Sequence, residues 1–572
     1  MQYEKHLETV KRINDRFRYL KSVESLFELD MWSGLPEEGG AYRQQMAAFI
    51  GNEKAGLFRT PEAEAAYAYF RGAAGECGAA GNGAAAAGCV PPAESPEMRE
   101  IIERGLIRVF CFRYETIARV PEELASRYNL VKGDVMRAWR EAREAKDYRI
   151  FAPWLKQAFD LKKEMALAIR PDAPAFDTLI GMTDEGLRSE EVTREFEVLK
   201  KGIGAILSRI QASAVRPRKE VLELMARGED PDAMAAFSRR LAEEAGYDQR
   251  RGHIRHNVVH GFTSFMGPRD ARVSTQRSGS PHLMFTCLHE AGHAMYATGG
   301  NEAVNRANMW GGIEGGFHEG NSRFFENIVG KSREYWEHYF PQLQEAFPAY
   351  REVSPEDFYL ALHEVKPTLR RIEADEVTYS LHAILRYELE RDYFSGRLSA
   401  EDMAEAWNDK CESYFGLRPE NDLQGVLQDM HWAGDYIGYF QSYALGNIYD
   451  GQFREAMLKD IPDVFSDLRR GDFSRIDGWM RDHIWQYGCC FTSGELMQRL
   501  CGTRLDASGF VRYLEEKGSI IFLVGLAMPH YRLLIPSASL DMNLRQCFRV
   551  ITPTATNSGT ACFLTPRRTQ AS

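Results

Sequence analysis

The chain has no apolar run long enough to cross a membrane, because the longest, Ile520 to Met528, is far short of the roughly 20 residues that a bilayer requires. Its first residues, MQYEKHLETVKRINDRFRYLKS, are charged throughout and lack the apolar core of a secretory signal. The ten cysteines are scattered rather than spaced as a disulfide framework, which is typical of free thiols in a reducing compartment. These absences predict a cytoplasmic protein without a membrane anchor.

Basic residues are also in deficit, because 71 lysines and arginines face 82 aspartates and glutamates and leave a net charge of −11. Proteins that follow a phosphate backbone usually carry a basic surplus, so this charge argues against a general nucleic-acid binder. Hydrophobic residues at 44% and charged residues at 27% are ordinary for a globular protein, and 572 residues are ample for a large core.

Strand patterns are scarce, and the clearest is the short run Ala271 to Ser274. Helical spacing dominates instead, and one long amphipathic helix is indicated by apolar residues at Leu7, Val10, Ile13, Phe17, Leu20, Val23 and Phe27. Similar helical patterns recur at Glu190 to Val215, Pro217 to Ala245, Ser354 to Val365 and Glu373 to Phe394. The sequence predicts a mainly α protein with at most a small β-sheet.

Two segments depart from this helical pattern. Gly72 to Ser95 is rich in glycine and alanine, and we expect a surface insertion or flexible loop there. Gly518 to Ser572 has one acidic residue, Asp541, against five arginines, and it shows no clear helical period. We therefore predict a single domain over residues 1–517, interrupted by the insertion and followed by an atypical, poorly ordered C-terminal extension.

A metal-ligand pattern lies between Ser280-Pro281, which indicates a helix start, and Gly299-Gly300, which indicates its end. Within it, the sequence His289-Glu290-Ala291-Gly292-His293 places two imidazoles on one helical face, where both can bind one tetrahedral Zn²⁺. Glu290 lies beside them, placed to take a proton from water rather than to bind the metal. The alternative is a helix with two surface histidines, but these groups would be costly to bury unpaired in so apolar a helix.

A catalytic zinc requires a third protein ligand and an open position. The next segment offers Glu314, His318, Glu319 and Glu326. From Phe317 onward it has the pattern of a second helix, which could turn a carboxylate towards the first one. Spacing does not choose between Glu319 and Glu326, and either could instead cap a helix or pair with Arg323.

With these residues the chain resembles the thermostable-type metallocarboxypeptidases of peptidase family M32, the carboxypeptidase Taq family. That family carries HExxH followed by an HES(Q/G)SR-like stretch, which here is His318 to Arg323. Other family blocks occur in order within roughly residues 1–517: an HPF-like His260-Gly261-Phe262, a DxRxT-like Asp270 to Ser274, an arginine block Arg371 to Glu376, a GxxQDxHW block Gly425 to Trp432 and a tyrosine-rich stretch Gly438 to Asn447. Several ordered blocks are far more specific than HExxH alone.

The resemblance implies a large helical domain with a deep substrate groove and Glu319 as the third metal ligand. It further implies one Zn²⁺ per chain, or another divalent metal such as Co²⁺, and a homodimer that cleaves peptides with a free C-terminus. The chain departs from the family at Gly261, Ser274 and Gly320, where proline, threonine and serine are usual. The second arginine of an RITTRY-like stretch is lost or displaced to Arg277, which affects substrate positioning rather than the metal ligands.

A carboxypeptidase must hold a free carboxylate, for which the planar donor fork of arginine is suited. Arg272 and Arg371 are the candidates. The structural alternative for both is an ion pair, which Arg371 would form with Glu373 or Asp375.

An oxyanion requires donors besides the metal, and His431, Tyr439 and Tyr443 are the candidates. Tyr439 and Tyr443 are four residues apart on a predicted helix and share a face, where buried tyrosines more often pack. His431 could equally pack in the core beside Trp432. The resemblance adds His260 and Gln428 as candidate substrate contacts.

These residues together predict metal-assisted hydrolysis of the C-terminal peptide bond, with Glu290 taking a proton from water and returning it to the leaving amine. A helical-cage endopeptidase is the main alternative, because such enzymes share HExxH and a downstream glutamate. A non-catalytic helical binding scaffold is a third possibility, but the intact ligand set and base argue against it.

Overall fold

The protein is built almost entirely from helices, in a computed structural model that describes residues 1–77 and 95–523. In chain order the α-helices are α1 (Gln2–Ser33), α2 (Gly40–Gly56), α3 (Pro61–Cys77), α4 (Pro96–Ala118), α5 (Glu122–Ala145), α6 (Ala152–Ile169), α7 (Ala175–Thr183), α8 (Ser189–Ala212), α9 (Lys219–Arg227), α10 (Pro231–Glu244), α11 (His282–Thr298), α12 (Glu302–Arg306), α13 (Gly316–Arg323), α14 (Arg333–Ala346), α15 (Pro355–Leu362), α16 (Tyr379–Phe394), α17 (Met403–Phe415), α18 (Gln441–Asp460), α19 (Ser474–His483), α20 (Ser493–Cys501) and α21 (Ser508–Leu523). A π-helix, Phe324–Val329, directly continues α13. The prediction of a mainly α protein is confirmed.

A small sheet of three strands is present in the described part of the chain: β1 (Ile254–His256), β2 (Phe262–Gly267) and β3 (Asp270–Thr275). β3 lies in the middle, parallel to β1 and antiparallel to β2. Thr263 is opposite Val273, and Ser264 is opposite Arg272. Since cross-strand partners point to the same face of a sheet, Thr263 and Arg272 point to opposite faces. β3 contains the strand predicted at residues 271–274.

One predicted helix is divided in the structure. The pattern at Pro217 to Ala245 is wrong as a single helix, because it forms α9 and α10. Gly228, which follows α9, adopts a φ of +74° and packs against the backbone of Gly279. The Asp230 side chain then accepts the first backbone N–H groups of α10, so the chain turns between the two helices. The patterns that begin at Leu7 and at Glu190 correspond to α1 and α8.

Two other predicted helices are shorter than their patterns. Ser354 caps α15, which ends at Leu362 rather than at Val365. The pattern from Glu373 becomes helical as α16 only at Tyr379. Asp375 is the reason, because its carboxylate accepts the backbone N–H groups of residues 377 and 378 and holds a turn before the helix begins.

The two atypical segments overlap the described residues at their edges. α3 extends through Cys77, so residues 72–77 are helical and the loop predicted there is wrong for that part. α21 extends through Leu523, so residues 518–523 also continue a helix. The remainder of both segments, residues 78–94 and 524–572, lies outside the described residues.

Two observations on the described residues concern membrane-spanning helices and cysteine side chains. Among the helices at 1–77 and 95–523, none is long and apolar enough to cross a membrane. Free thiols are found at Cys111, Cys287, Cys411, Cys489, Cys490 and Cys501.

α11 is the buried centre of the fold and packs against α10, α13, the π-helix and strands β2 and β3. A helix that is apolar on all sides is typical of a core. Glycines let the neighbouring helices approach closely. A Cβ atom at Gly292 would lie 2.8 Å from the Cα of Ser322 on α13, and one at Gly446 of α18 would lie 2.5 Å from Cγ of Glu319. α11, α13 and α18 therefore form one tightly packed unit.

The close packing of α18 predicts a contrast between two helical glycines. A Cβ at Gly451 would lie 2.5 Å from the backbone nitrogen of Phe510 on α21, whereas nothing lies within 4 Å of one at Gly478 on α19. We expect Gly451→Ala to destabilise the protein by about 1–3 kcal/mol through overpacking. Gly478→Ala should be neutral or stabilising by up to about 1 kcal/mol, from helix propensity alone.

Thermal unfolding at one scan rate, with the wild type beside both variants, measures the difference. Equal melting temperatures for Gly451→Ala and Gly478→Ala would contradict the packing described for α18 and α21.

Candidate metal centre

His289 and His293 lie one turn apart on α11, with their ring centroids 5.0 Å apart. The helix that carries them starts and ends where the sequence predicts. The Ser280 hydroxyl accepts the backbone N–H of His282 at 3.3 Å, and Gly299 follows the last helical residue. Because positions i and i+4 share a helical face, both imidazoles point towards α13.

Three possible metal-binding atoms converge between α11 and α13. Oε2 of Glu319 lies 3.8 Å from Nε2 of His289 and 3.6 Å from Nε2 of His293. The donor atoms of this trio all lie within 4.8 Å of one another. Two ligands held about 2.0–2.1 Å from a tetrahedral ion are about 3.4 Å apart, so this arrangement fits one cation after a small adjustment.

Glu326 forms a hydrogen bond with Nδ1 of His289. We call the Nδ1 atoms of His289 and His293 the outer nitrogens, and the Nε2 atoms that approach Glu319 the inner nitrogens. Oε2 of Glu326 lies 2.9 Å from Nδ1 of His289, so Nδ1–H donates to the carboxylate and the Nε2 lone pair faces Glu319. Spacing alone left Glu319 and Glu326 as equal candidates for the third ligand. The geometry separates them, because Glu319 approaches the inner nitrogens of both histidines while Glu326 contacts the outer nitrogen of one.

A second hydrogen-bond chain fixes His293. Its Nδ1 lies 2.7 Å from Nδ1 of His318, and Nε2 of His318 lies 3.1 Å from the carbonyl oxygen of Gly311. The carbonyl can only accept, so His318 donates from Nε2, accepts at Nδ1, and leaves the Nε2 lone pair of His293 free. Burial lowers the pKa of His318 to about 3, which keeps this ring neutral.

Arg323 neutralises the acidic side of the centre. Its Nε donates to Oε1 of Glu319 at 3.0 Å, and its guanidinium lies 3.7 Å from the ring centre of Tyr379. Burial opposes ionisation of Glu319, but His289, His293 and Arg323 together lower its pKa to about 2. The pairing with Arg323 that spacing allowed is therefore present, and it uses the carboxylate oxygen that does not face the histidines.

Glu290, the predicted base, is buried, with 6% of its surface exposed. The hydroxyl of Thr263 on β2 lies 2.7 Å from Oε2 and 3.0 Å from the backbone oxygen of the same residue. Gly261 lies beside the other carboxylate oxygen, since a Cβ there would be 3.2 Å from Oε1. The loop before β2 thus packs against the Glu290 carboxylate at Gly261. This is the residue at which the HPF-like block has glycine in place of proline.

A cluster of two arginines and one aspartate joins the arginine block at Arg371 to the GxxQDxHW block at Asp429. Asp429 accepts from Arg371 at 3.0 Å and from Arg386 at 2.6 Å. The suggested ion pair of Arg371 with Glu373 or Asp375 is therefore wrong. Burial opposes ionisation of Asp429, but the two guanidinium groups hold its pKa well below its usual range. Two cations and one anion leave an uncompensated positive charge in this cluster.

Gln428 fixes both arginines of this cluster. Its Oε1 accepts the backbone N–H of Arg371 at 3.2 Å and an Nη2–H of Arg386 at 2.8 Å. Its amide nitrogen donates to backbone carbonyls, including that of Leu369 at 3.0 Å. These contacts use its donors and acceptor within the protein.

His431 and Tyr443 form a pair against the arginine cluster. Nε2 of His431 lies 2.9 Å from the Tyr443 hydroxyl, and the Arg371 guanidinium lies 4.7 Å from the centre of the tyrosine ring. Burial and the charge of Arg371 lower the pKa of His431 to about 3, so the ring is neutral. Tyr439 precedes α18 rather than lying on it, so a shared helical face is wrong, although its ring packs edge-on to Tyr443 at 5.3 Å.

The remaining predicted residues lie elsewhere. Arg272 makes a two-pronged ion pair with Asp270, at 2.8 and 2.7 Å, on the face of the sheet opposite Thr263. His260 is exposed in the connection between β1 and β2. A cavity of about 800 Å³ is lined by Arg323, Glu326, Arg371 and Tyr379, so two residues that contact the metal ligands and one arginine of the cluster border the same space.

Sequence reasoning missed several residues that complete these clusters. Arg386 lies seven residues after Tyr379 on α16, and its spacing from Arg371 gives no sign that the two share a carboxylate. Thr263 is an ordinary strand residue whose role follows from the strand register alone. The orienting contacts of His318 and Glu326 could be anticipated only as alternatives, because both were possible ligands by spacing.

Comparisons with known proteins identify the family of the chain. A family model described as carboxypeptidase Taq (M32) metallopeptidase matches residues 9–518. The chain is 34% identical over 417 residues to a thermostable carboxypeptidase 1 of Pyrococcus furiosus, covering 73% of this chain and 83% of that protein. It is 35% identical over 450 residues to one of Thermus thermophilus, covering 75% and 86%. The crystal structure of an M32 carboxypeptidase from Deinococcus radiodurans superposes with a TM-score of 0.80 at 30% identity, covering 91% of this chain and 99% of that chain.

The two carboxylates beside the histidines predict different losses of metal affinity. We expect Glu319→Ala to abolish stoichiometric binding, because it removes the carboxylate that faces both inner nitrogens. Glu326→Gln should bind metal about 10–100-fold more weakly, since it removes only the contact that orients His289. Glu314→Gln, on an exposed neighbour, is the matched control and should bind normally.

Titration of each apoprotein with Zn²⁺ against a chromophoric chelator gives the affinities. Loss of binding in Glu326→Gln together with normal binding in Glu319→Ala would reverse the two roles.

Proposed function

Because the chain belongs to the carboxypeptidase Taq (M32) family of metallopeptidases, we propose that it is a zinc-dependent carboxypeptidase that removes the last residue of peptides with a free C-terminus. One observation carries the assignment of its ligands. The inner nitrogens of His289 and His293 approach the same oxygen of Glu319, while each outer nitrogen is occupied by a hydrogen bond.

Two imidazoles and one carboxylate form a donor set that suits zinc and leaves a coordination position open. Cobalt accepts similar ligands, so Co²⁺ or another divalent ion is the alternative cofactor. When bound, such a cation lowers the pKa of water and polarises the scissile carbonyl.

Glu290 is the proposed general base. Thr263 engages its Oε2, which leaves Oε1 to accept a proton from the attacking water. The hydroxyl oxygen then adds to the scissile carbonyl carbon. As the C–N bond breaks, Glu290 returns the proton to the leaving amine, so the carboxylate is regenerated at the end of the cycle.

Tyr443 is the proposed donor to the oxyanion, supported by His431. Burial raises the pKa of Tyr443, so its hydroxyl stays protonated at neutral pH. We assign the His431 proton to Nε2, from which it donates to the tyrosine oxygen and leaves the hydroxyl hydrogen free for substrate. Tyr439 packs against Tyr443 and is proposed to fix the orientation of its ring.

Arg371 is the proposed anchor for the C-terminal carboxylate of the substrate. Its cluster holds two arginines against the single carboxylate of Asp429, so a second carboxylate would complete the charge balance. Arg272 is already balanced by Asp270, and it points away from the face that carries Thr263. His260 is proposed as a weaker substrate contact, since the next residue, Gly261, lies beside Glu290.

We expect Glu290→Gln to retain the metal and lose hydrolysis. The amide keeps the shape of the side chain but cannot accept the proton of water, and loss of a general base costs about 10²–10⁴-fold in rate. Glu314→Gln is the control and should turn over normally. For each protein, mass spectrometry measures the release of the C-terminal amino acid from one peptide, and the metal content of the same sample is determined in parallel. Near-normal turnover of metal-loaded Glu290→Gln would place the base elsewhere.

Amidation of the substrate should slow cleavage strongly. A neutral amide leaves the anchoring arginine without its charge-assisted hydrogen bond, worth about 1.5–3 kcal/mol, so we expect at least about 10–100-fold lower kcat/KM. Arg371→Met should abolish this preference by slowing the free-acid peptide, with metal content unchanged. Arg272→Met should keep the preference, which makes it the matched control.

Rates on matched free-acid and amidated peptides, for the wild type and both arginine variants, test the anchor. Equal wild-type rates with cleavage of internal bonds would favour an endopeptidase instead.

A further inference from the structure

We propose that Asp184 is a positioning residue that sets the metal-bearing helix α13 against the tyrosine-bearing helix α18. This inference rests on the proposed function, because it concerns the relative placement of Glu319 and Tyr443. Asp184 lies in the turn after α7, far from both helices in sequence, and only 3% of its surface is exposed.

The Asp184 carboxylate contacts the first residues of both helices. One oxygen accepts the backbone N–H of Gly316, the first residue of α13, at 2.6 Å. The other accepts the Ser442 hydroxyl at 2.6 Å and the Gln441 amide at 3.1 Å, at the start of α18. One side chain therefore bridges two helix starts that belong to distant parts of the chain.

Gly315 and Gly316 are closely packed around the Asp184 carboxylate and α18. A Cβ at Gly315 would collide with the Asp184 carboxylate, and Gly315 adopts a φ of +65° that favours glycine. A Cβ at Gly316 would lie 2.5 Å from Cβ of Leu445 on α18. The two helices are in direct contact where the carboxylate holds them, so a change in its length or hydrogen bonding must move one helix relative to the other.

The reactive side chains follow immediately on both helices. Glu319 is three residues after Gly316, and Tyr443 is the residue after Ser442. Both are therefore within one helical turn of the bridge, too close for a shift of either helix start to be absorbed before it reaches them. Asp184 itself lies outside every family block quoted above, and no pattern in the sequence singles it out.

The Gly438 turn, just before Tyr439, is tied to the same bridge. Its carbonyl accepts the Thr183 hydroxyl at 3.1 Å and the Gln441 amide at 2.7 Å. Thr183 and Gln441 are thus shared between this turn and the surroundings of Asp184. The bridge consequently fixes the entry into α18 together with the start of α13.

Asp184→Asn tests the inference, because it keeps the shape but replaces one acceptor oxygen with a donor that faces other donors. We expect kcat to fall by about 10- to 100-fold through misplacement of Tyr443. The dissociation constant for metal should rise by about 10-fold, as for loss of an outer contact that orients a ligand. The visible spectrum of the Co²⁺-substituted protein should also change, since it reports the ligand geometry around Glu319.

Glu115→Gln is the matched control. Glu115 lies on α4, is equally buried at 3% exposed, and accepts hydrogen bonds from Tyr67 and Arg71 of α3 rather than from α13 or α18. It should lower the melting temperature and leave kcat, metal affinity and the Co²⁺ spectrum unchanged. The inference is overturned if Asp184→Asn behaves in the same way as this control.

Ser442→Ala provides a milder variant if Asp184→Asn does not fold. It removes one donor to the carboxylate and leaves Asp184 in place, so smaller changes in kcat and metal affinity are expected in the same direction. Wild-type values for both would overturn the inference.

Metal affinity is measured without substrate, so the two proposals fail separately. A wild-type protein that binds metal but cleaves no peptide would overturn the proposed function. The metal affinities of the Asp184 and Ser442 variants would still decide the role of the bridge.

Discussion

The structure depends on the approach of two imidazole nitrogens to one carboxylate oxygen inside a helical core. The cost of burying these polar groups is reduced because the atoms that face away from the site are hydrogen-bonded. Glu326 contacts Nδ1 of His289, His318 contacts Nδ1 of His293, and Arg323 contacts Oε1 of Glu319. Each partner removes an alternative orientation, so the inner lone pairs can point only towards one another. The contact with Arg323 also balances the charge of the Glu319 carboxylate. A cation at this point would accept these lone pairs as direct bonds.

Tight packing of α11, α13 and α18 is what makes that approach possible. Gly292 brings α11 against the backbone of α13, and Gly446 brings α18 against the Glu319 side chain, so a larger residue at either position would force a shift in this packing. The second cluster, around Asp429, is linked to this unit through Tyr379, which lies beneath Arg323 and accepts from Arg371 at 3.3 Å. One cavity is therefore bordered by Arg323 and Glu326 from the surroundings of the metal ligands and by Arg371 from the second cluster.

Local periodicity and fixed spacing predict the helical class and α11 with both histidines. The other blocks of the site are predicted from the family resemblance. Spacing could not choose between Glu319 and Glu326, since both lie on one continuous helix and the choice depends on how that helix faces α11. It also could not identify Asp429 as the partner of Arg371, because the contact joins residues 58 apart. The end of α9 and the start of α16 depend on one residue each, Gly228 and Asp375. The cytoplasmic location and the homodimer stay predictions.

Anomalous X-ray scattering at the zinc absorption edge, from crystals of the zinc-loaded protein, tests the central assignment most directly. We expect one anomalous peak per chain, about 2.0–2.2 Å from Nε2 of His289, Nε2 of His293 and a carboxylate oxygen of Glu319. Glu326 should remain hydrogen-bonded to Nδ1 of His289. A peak bound by Glu326 or His318 in place of Glu319, or bound through an Nδ1 atom, would contradict this assignment.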